Sequence, residues 1–392
     1  MKQPDIDYWI RTMLSSFDHV SDLNITAGKS LQVEAAGVMQ PVAVKPAVNR
    51  LTPFQAEVFA LTLINKDQRL LTDLVRSGSA DLSYRLGEDM RFRVNVFSGR
   101  RNISTVLRKL ETTIPTVQQL GLPEVIGNIS KEKNGLILVT GATGTGKSTT
   151  LAAIIDEINR SQPVHVVTLE DPIEYAHEHK MATLNQRELG ADFDSFAAGL
   201  RAALRQAPKI ILVGEMRDLE TMEIGMTAAE TGHVVMSTLH TVDAGQTINR
   251  IVGMFDLEEQ AQVRNRLADT IKWIICQRLL PKVGGGRIAA IEILRTSLRI
   301  KELILNGESE EKTFYDIIAD STQNGMITFD QHLLELCEKG LITEETAIAY
   351  SSRRSVVARG LDQMKAARGE STTAIKGLAM DLGKGDDKHS GF

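Results

Sequence analysis

Residues 141–148 read Gly-Ala-Thr-Gly-Thr-Gly-Lys-Ser, which matches the phosphate-binding pattern G-x-x-x-x-G-K-[ST]. An apolar run at 136–139 precedes this loop, and residues 149–155 after it have helical character. The glycines therefore lie at a strand-to-helix turn, where backbone N–H groups and a helix N-terminus hold an anion. A glycine-rich turn that binds nothing is the alternative, and the strand–loop–helix order disfavours it.

The pattern assigns a role to each part of the loop. Lys147 is expected to reach the β- and γ-phosphates of ATP, and Ser148 is expected to hold Mg²⁺. The predicted nucleotide-binding residues are Thr143, Gly144, Thr145, Gly146, Lys147, Ser148 and Thr149.

Composition narrows the class of protein. A chain of 392 residues has room for two or three domains, and its net charge of −5 gives no case for a nucleic-acid surface. The two cysteines, Cys276 and Cys337, form no C-x-x-C, which excludes a tetrathiolate zinc site and suits a reducing compartment. Residues 1–11 are too polar for a signal peptide, and no apolar run approaches the ~18 residues of a membrane span. We expect a cytoplasmic protein that meets the membrane only through partners.

The order of predicted elements suggests five segments. Residues 1–110 are expected to form a separate α/β domain, and 111–123, punctuated by Pro and Gly, a linker. Apolar strands alternate with helices over 124–295, which predicts a parallel sheet with helices on both faces. Residues 296–365 are expected to be helical, and 366–392 a disordered tail.

The element predictions are specific enough to be tested. The first segment is expected to hold helices at Tyr8–Phe17 and Pro53–Asn65 and strands at 21–26, 31–34, 38–42, 80–84, 90–97 and 103–110, with a turn at 87–89. The core is expected to hold strands at 136–139, 164–169, 210–214, 234–239 and 288–294.

Hydrolysis also needs a metal partner, a base and a group that neutralises transition-state charge. Glu170 and Glu174 follow the predicted strand 164–169, at the strand end where sheet ligands bind, and either is a candidate to polarise the attacking water. An acidic solvated loop is the alternative. Glu215 follows the apolar run Ile210–Val213 and a glycine, as in a Walker B motif, and is the candidate to orient Mg²⁺.

Histidines and arginines complete the candidates. His233 and His240 bracket the strand 234–239 and are candidates to sense the γ-phosphate, although a lone histidine is more often structural. Arg91, Arg93 and Arg108 lie in the other domain, where they form a solvated basic face or serve a neighbouring subunit's nucleotide in trans.

Five stretches together resemble, in order, the Walker A, Asp box, following N-Q-R-E stretch, Walker B and His box of secretion ATPases, and within these the type IV pilus retraction ATPases of the PilT/PilU type. These stretches are residues 141–149, 168–175, 184–188, 212–220 and 227–241. The resemblance implies a PAS-like N-terminal α/β domain, a RecA-like P-loop ATPase core with C-terminal helices, and a homo-hexamer.

The resemblance also implies roles and partners. Glu174 would be the base and Glu215 the group at Mg²⁺, His233 and His240 would be His-box members, and Arg91, Arg93 and Arg108 would act in trans. The partners implied are an inner-membrane pilus platform protein, the pilin fibre indirectly, and a paralogous retraction ATPase, with the protein peripheral at the inner membrane.

One feature leaves an alternative open among the retraction ATPases, and three other classes of protein are disfavoured. Residues 297–304 depart from the short helical signature that the family ties to retraction, which makes an accessory role plausible. An extension or secretion ATPase usually carries a further N-terminal domain and a tetracysteine insertion, and this sequence has neither.

A DNA translocase is disfavoured by the negative net charge and by an aromatic content of 5%. A regulatory subunit that binds ATP without hydrolysing it is disfavoured because every candidate catalytic group is present.

Overall fold

A computed structural model of the chain describes residues 1–87, 90–110 and 113–369. Two β-sheets follow one another along the chain, each with helices packed on it, and this confirms the predicted α/β class. Parts of three predicted features lie outside the described residues: the turn at 87–89, the linker at 111–123 and the tail at 366–392. The division into domains stays a prediction.

The first sheet is antiparallel, with the strand order β3-β2-β1-β6-β5-β4. Its strands are β1 (Val20–Thr26), β2 (Leu31–Ala35), β3 (Val38–Val42), β4 (Ser79–Leu86), β5 (Met90–Gly99) and β6 (Asn102–Leu110). Alternate residues of β5, Phe92, Val94 and Val96, are buried in one hydrophobic core.

Helices α1 (Gln3–Leu14), α2 (Pro53–Ile64) and α3 (Gln68–Ser77) accompany this sheet. Helix α1 begins and ends earlier than predicted, and at its start the Asp5 carboxylate accepts the Lys2 N–H at 2.7 Å. The sequence analysis missed α3, although Asp67 caps it as an N-terminal aspartate should.

The second sheet has seven strands in the order β13-β12-β7-β11-β10-β8-β9. The strands are β7 (Gly135–Thr140), β8 (His165–Glu170), β9 (Thr183–Glu188), β10 (Ile210–Val213), β11 (Val234–Leu239), β12 (Ile271–Pro281) and β13 (Arg287–Arg295). Neighbours from β12 to β9 are parallel, whereas β13 runs antiparallel to β12, which corrects the prediction of an entirely parallel sheet.

Two of these strands were not predicted. β9 is a polar edge strand with little hydrophobic signal. β12 follows a helix without a Gly or Pro between them, and a continuous apolar run does not by itself distinguish strand from helix.

Helices cover both faces of the second sheet. They are α4 (Lys147–Ser161), α5 (Phe196–Ala203), α6 (Leu219–Glu230), α7 (Ala244–Val252) and α8 (Gln260–Thr270). Successive residues of β7 belong to different cores: Ile137 and Val139 pack with α4, while Leu136 and Leu138 pack with the helices of the other face. This double burial is why β7 reads as an uninterrupted apolar run.

In the part of the chain that the structure describes, five α-helices follow the second sheet: α9 (Leu298–Asn306), α10 (Phe314–Asp320), α11 (Phe329–Glu338), α12 (Glu344–Ala349) and α13 (Arg354–Ala367). The buried Asp330 of α11 links α10 to the start of α13, since it accepts hydrogen bonds from Tyr315 Oη at 2.8 Å, Ser352 N at 2.7 Å and Arg353 N at 2.9 Å. Among the described residues, no helix combines the length and the apolar character that crossing a bilayer requires.

Candidate functional site

The loop at 141–146 joins β7 to α4, at the carboxyl edge of the parallel strands. Gly141, Gly144 and Gly146 have φ values of +145°, +80° and +88°. A Cβ on Gly141 would also lie 2.4 Å from the main-chain oxygen of Gln277. Glycine is therefore required at Gly141 both for its backbone conformation and for the close approach of β12.

The predicted phosphate-binding residues line one cleft of about 970 Å³, within the range of small-molecule sites. They are Thr143, Gly144, Gly146, Lys147, Ser148 and Thr149. The Thr145 hydroxyl instead turns back to donate to Ala142 O at 2.9 Å, and Thr145 is not among the residues that line the cleft.

Lys147 is held against the loop itself. Its Nζ donates to the main-chain oxygens of Gly141 and Ala142, both at 2.9 Å. Burial lowers the pKa of Lys147, and the nearby carboxylates of Glu174 and Glu215 act in the opposite direction. The ammonium group is therefore already placed among the backbone groups that would surround a phosphate.

Four carboxylates line the same cleft: Glu170, Asp171 and Glu174 at the end of β8 and just after it, and Glu215 after the neighbouring strand β10. Glu170 closes β8 and accepts hydrogen bonds from Thr168 Oγ1 at 2.6 Å and Gln186 Nε2 at 3.0 Å. Burial raises the pKa of Glu170 to about 7, although both hydrogen bonds act to lower it. Glu174, in contrast, is exposed on the loop that follows β8. Of these two candidates for the base, Glu174 is thus the one open to water.

Glu215 follows β10 and has two cationic or titratable neighbours. Its Oε2 lies 2.7 Å from Arg217 Nε and 3.8 Å from His240 Nε2. Burial lowers the pKa of His240, and the charges of Lys147 and Arg217 lower it further, which favours the neutral imidazole near pH 7.

A magnesium ion fits the donors present. Ser148 and Glu215 both face the cleft, and a P-loop site uses one hydroxyl together with phosphate oxygens and waters rather than a cage of carboxylates. The described residues accordingly contain no group of three His, Cys, Asp or Glu side chains that could hold a metal.

The two histidines do not meet. His240 lies after β11 and lines the cleft, whereas His233 lies before β11 and its Nδ1 donates to Ala228 O at 3.0 Å. The length of the strand separates them by about 20 Å. Within its own chain His233 caps the end of a helix and does not line the cleft, and a role at the γ-phosphate stays a prediction for both histidines.

The three arginines also separate. Arg93 and Arg108 line the cleft of their own chain, and Arg108 Nε donates to Asp22 at 2.8 Å. Arg91 Nη2 lies 3.7 Å from Glu188 of β9, so it links the first sheet to the second rather than entering the cleft. Service to a neighbouring subunit's nucleotide stays a prediction for all three.

The sequence analysis missed several residues that line the cleft: Tyr175, Arg217, Gln277 and Arg287. Arg217 was detectable, as a cation two positions beyond the Walker B carboxylate. Gln277 was not, because it lies on the unpredicted strand β12.

Comparison with known proteins agrees with this geometry. The family model described as type II/IV secretion system protein matches residues 76–323. The type IV pilus retraction ATPase PilT of Pseudomonas aeruginosa is 41% identical over 83% of this chain and 93% of the relative. The type IV pilus ATPase PilU of the same organism is 40% identical over 84% of this chain and 85% of the relative.

Solved structures give the same result for the fold. A crystal structure of the pilus retraction motor PilT with bound ADP superposes with a TM-score of 0.81 at 41% identity, covering 92% of this chain and 99% of the other. The ATPase DotB of Legionella pneumophila superposes with a TM-score of 0.73 at 31% identity, covering 84% and 90%. The resemblance to the pilus retraction ATPases is thus confirmed, and the chain belongs to the type II/IV secretion system protein family, as an ATPase of the PilT/PilU type.

Proposed function

We propose that this protein hydrolyses Mg²⁺-ATP in the cleft above the 141–148 loop and uses the energy to retract type IV pili. The observation that carries the proposal is one cleft that collects the P-loop lysine, four carboxylates and two arginines of the first sheet. Such a set provides phosphate binding, a base and charge neutralisation, which phosphoryl transfer requires.

Each group has a proposed part in hydrolysis. Lys147 leaves the carbonyl oxygens of Gly141 and Ala142 to contact the β- and γ-phosphates. Glu174 orients and polarises the attacking water from the exposed loop after β8. Ser148 and Glu215 hold Mg²⁺, which neutralises charge on the phosphates when bound.

The remaining groups are proposed to respond to the γ-phosphate. His240, next to Glu215, reports its loss, and Arg93 and Arg108 neutralise developing charge in their own chain or in a neighbour. Because these arginines belong to the first sheet and the loop to the second, hydrolysis changes the attraction between the two halves. That change is the proposed source of motion of a 1–110 domain against a 124–295 core.

The assembly is proposed from the relatives. A homo-hexamer that acts from the cytoplasm, peripheral at the inner membrane, would engage the pilus platform protein there and the pilin fibre indirectly. The relatives named PilT and PilU support this assignment at 41% and 40% identity. Since the identities to PilT and to PilU are nearly equal, they do not choose between the two relatives. An accessory motor that depends on a paralogous retraction ATPase is therefore the second candidate.

Enzyme assays on the purified full-length chain test the chemistry. Glu174→Gln is expected to reduce ATP turnover at least 100-fold while ADP binding is retained, because base catalysis contributes about 10²–10⁴-fold. Lys147→Ala is expected to weaken binding as well. Glu178→Gln is the matched control, since Glu178 is an exposed carboxylate of the same segment that does not line the cleft. Equal turnover in Glu174→Gln and wild type would reject Glu174 as the base.

A deletion strain tests the biological role. Excess surface pili without twitching would support retraction, whereas bald cells would indicate an extension motor. Twitching that is restored by this chain only when a paralogous retraction ATPase is present would indicate the accessory role. Mass measurement with an ATP analogue bound is expected to give a six-fold assembly, and a persistent monomer would count against the ring.

A further inference from the structure

Gln277 of β12 joins the phosphate-binding loop to the helix that follows it. Its side-chain Nε2 donates to Thr145 O at 2.6 Å, and its Oε1 accepts from Thr150 Oγ1 at 2.8 Å. The residue is 4% exposed; its bond to Thr150 is buried, and its bond to Thr145 O is partly buried. A buried amide that uses its donor and its acceptor in this way has one defined orientation.

The bond to Thr145 O sets the direction of a backbone donor. Thr145 O and the N–H of Gly146 belong to one trans peptide plane, in which the C=O and the N–H point in opposite directions. Fixing the oxygen toward Gln277 therefore turns the Gly146 N–H away from β12. Gly146 lines the cleft, so this N–H is available to a phosphate oxygen.

The loop also packs closely on β12. A Cβ on Gly146 would lie 3.0 Å from Gln277 Nε2, and one on Gly141 would lie 2.4 Å from Gln277 O. β12 itself is fixed here, because the adjacent Arg278 stacks on the Phe329 ring at 3.8 Å and donates to Ser352 Oγ at 3.0 Å. The loop therefore rests on a rigid strand that the C-terminal helices hold in place.

We propose that Gln277 is a positioning residue that orients the Thr145–Gly146 peptide so that the loop receives the phosphates of a nucleotide. It acts through the backbone of the loop and not by reaction with the nucleotide. This inference rests on the proposed ATPase function.

Two variants of the full-length protein separate the bond to the loop from the bond to the helix. Gln277→Met removes both bonds and keeps a side chain of similar length, whereas Thr150→Val removes only the bond to the helix. The readouts are the Kd for ADP with Mg²⁺ by titration calorimetry, the kcat and KM for ATP, and the thermal midpoint without nucleotide.

We expect Gln277→Met to raise the Kd for ADP about tenfold, the effect of losing one buried hydrogen bond and freeing its partner. Thr150→Val is expected to change the Kd for ADP less than twofold. It is expected to lower the thermal midpoint about as much as Gln277→Met does. Gln277→Glu keeps the acceptor for Thr150 but turns an oxygen toward Thr145 O. Gln277→Glu is expected to weaken ADP binding at least as much as Gln277→Met. It replaces Gln277→Met in the comparison if that variant does not fold.

The outcomes distinguish this inference from the proposed function. If wild type hydrolyses ATP but the Gln277 variants bind ADP normally, the inference fails alone. Equal losses of ADP affinity in Gln277→Met and Thr150→Val would also overturn it, because they would show a general structural role. If wild type binds ADP without hydrolysis, the proposed function fails and the Kd comparison still decides the role of Gln277. If wild type binds no ADP, both fail.

Discussion

Glu292 offers a quantitative test of the electrostatics of the second sheet. It is a 3% exposed carboxyl on β13, and one of its oxygens accepts the N–H of Ala244 at 2.9 Å at the start of α7. Burial raises the pKa of Glu292 from 4.5 to about 7, with a smaller increase from Asp243 and opposing effects of the Ala244 N–H and of Arg278. Cys276, its cross-strand partner, also contacts it.

The sign of the pH dependence follows from this increase. Below pH 4.5 the carboxyl is neutral in both the folded and the unfolded chain. As the pH rises from 4.5 to about 7, the folded chain holds the proton more tightly, so the free energy of unfolding falls. The total loss is about 3 kcal/mol, because each tenfold difference in proton affinity is worth about 1.4 kcal/mol.

Glu292→Gln is expected to remove most of this pH dependence. A glutamine keeps an acceptor for the Ala244 N–H but never ionises, so at pH ~8 the variant should be more stable than wild type by up to about 3 kcal/mol. At pH ~5 the two proteins should agree within about 1 kcal/mol.

Urea unfolding monitored by Trp273 fluorescence measures the effect. Trp273 is fully buried in β12, next to β13, and the only other tryptophan of the chain, Trp9, lies on α1 in the hydrophobic core of the first sheet. A Trp9→Phe background therefore restricts the signal to the second sheet. Glu310→Gln, at an exposed carboxylate, is the control and should leave the slope unchanged. An equal pH slope in Glu292→Gln and in wild type would refute the reasoning.

Three further predictions concern packing, capping and the metal site. Ile155→Ala, in the fully buried face of α4, should lower the free energy of unfolding by about 2–5 kcal/mol in the same urea assay, and Ile155→Val by about 1 kcal/mol; equal effects would contradict tight packing there. Thr52→Ala removes the acceptor for Gln55 N at 3.2 Å and should cost about 1 kcal/mol, while Thr52→Ser should cost little; a loss with Thr52→Ser as large as with Thr52→Ala would argue against the cap. Arg217→Ala removes the cation 2.7 Å from Glu215. It should lower the Mg²⁺ concentration for half-maximal ATPase activity about two- to threefold. A higher Mg²⁺ requirement in this variant would speak against Glu215 as a metal ligand.

The sequence alone was sufficient for features that depend on local chemistry. The loop at 141–148 needs glycines for its positive φ values, and β7 before it is apolar because both faces are buried. The carboxylates Glu170, Glu174 and Glu215 follow strands whose runs of apolar residues are equally clear. Parallel strands bring their carboxyl ends to one edge, so the gathering of these groups follows from the α/β pattern.

The tertiary structure decided what depends on the packing of distant segments. Only the fold shows that His240 lines the cleft while His233 does not, that Arg91 pairs with Glu188, and that Gln277 donates to Thr145 O of the loop. β12 gave no separate signal, because an apolar run that continues from a helix suits a helix or a strand until its neighbours are known. The spacing of residues along the chain determines which side chains share a strand. The side chains that a strand meets are determined by the elements packed against it, and these come from distant segments: Arg91 and Glu188 are 97 positions apart, and Gln277 and Thr145 are 132 apart.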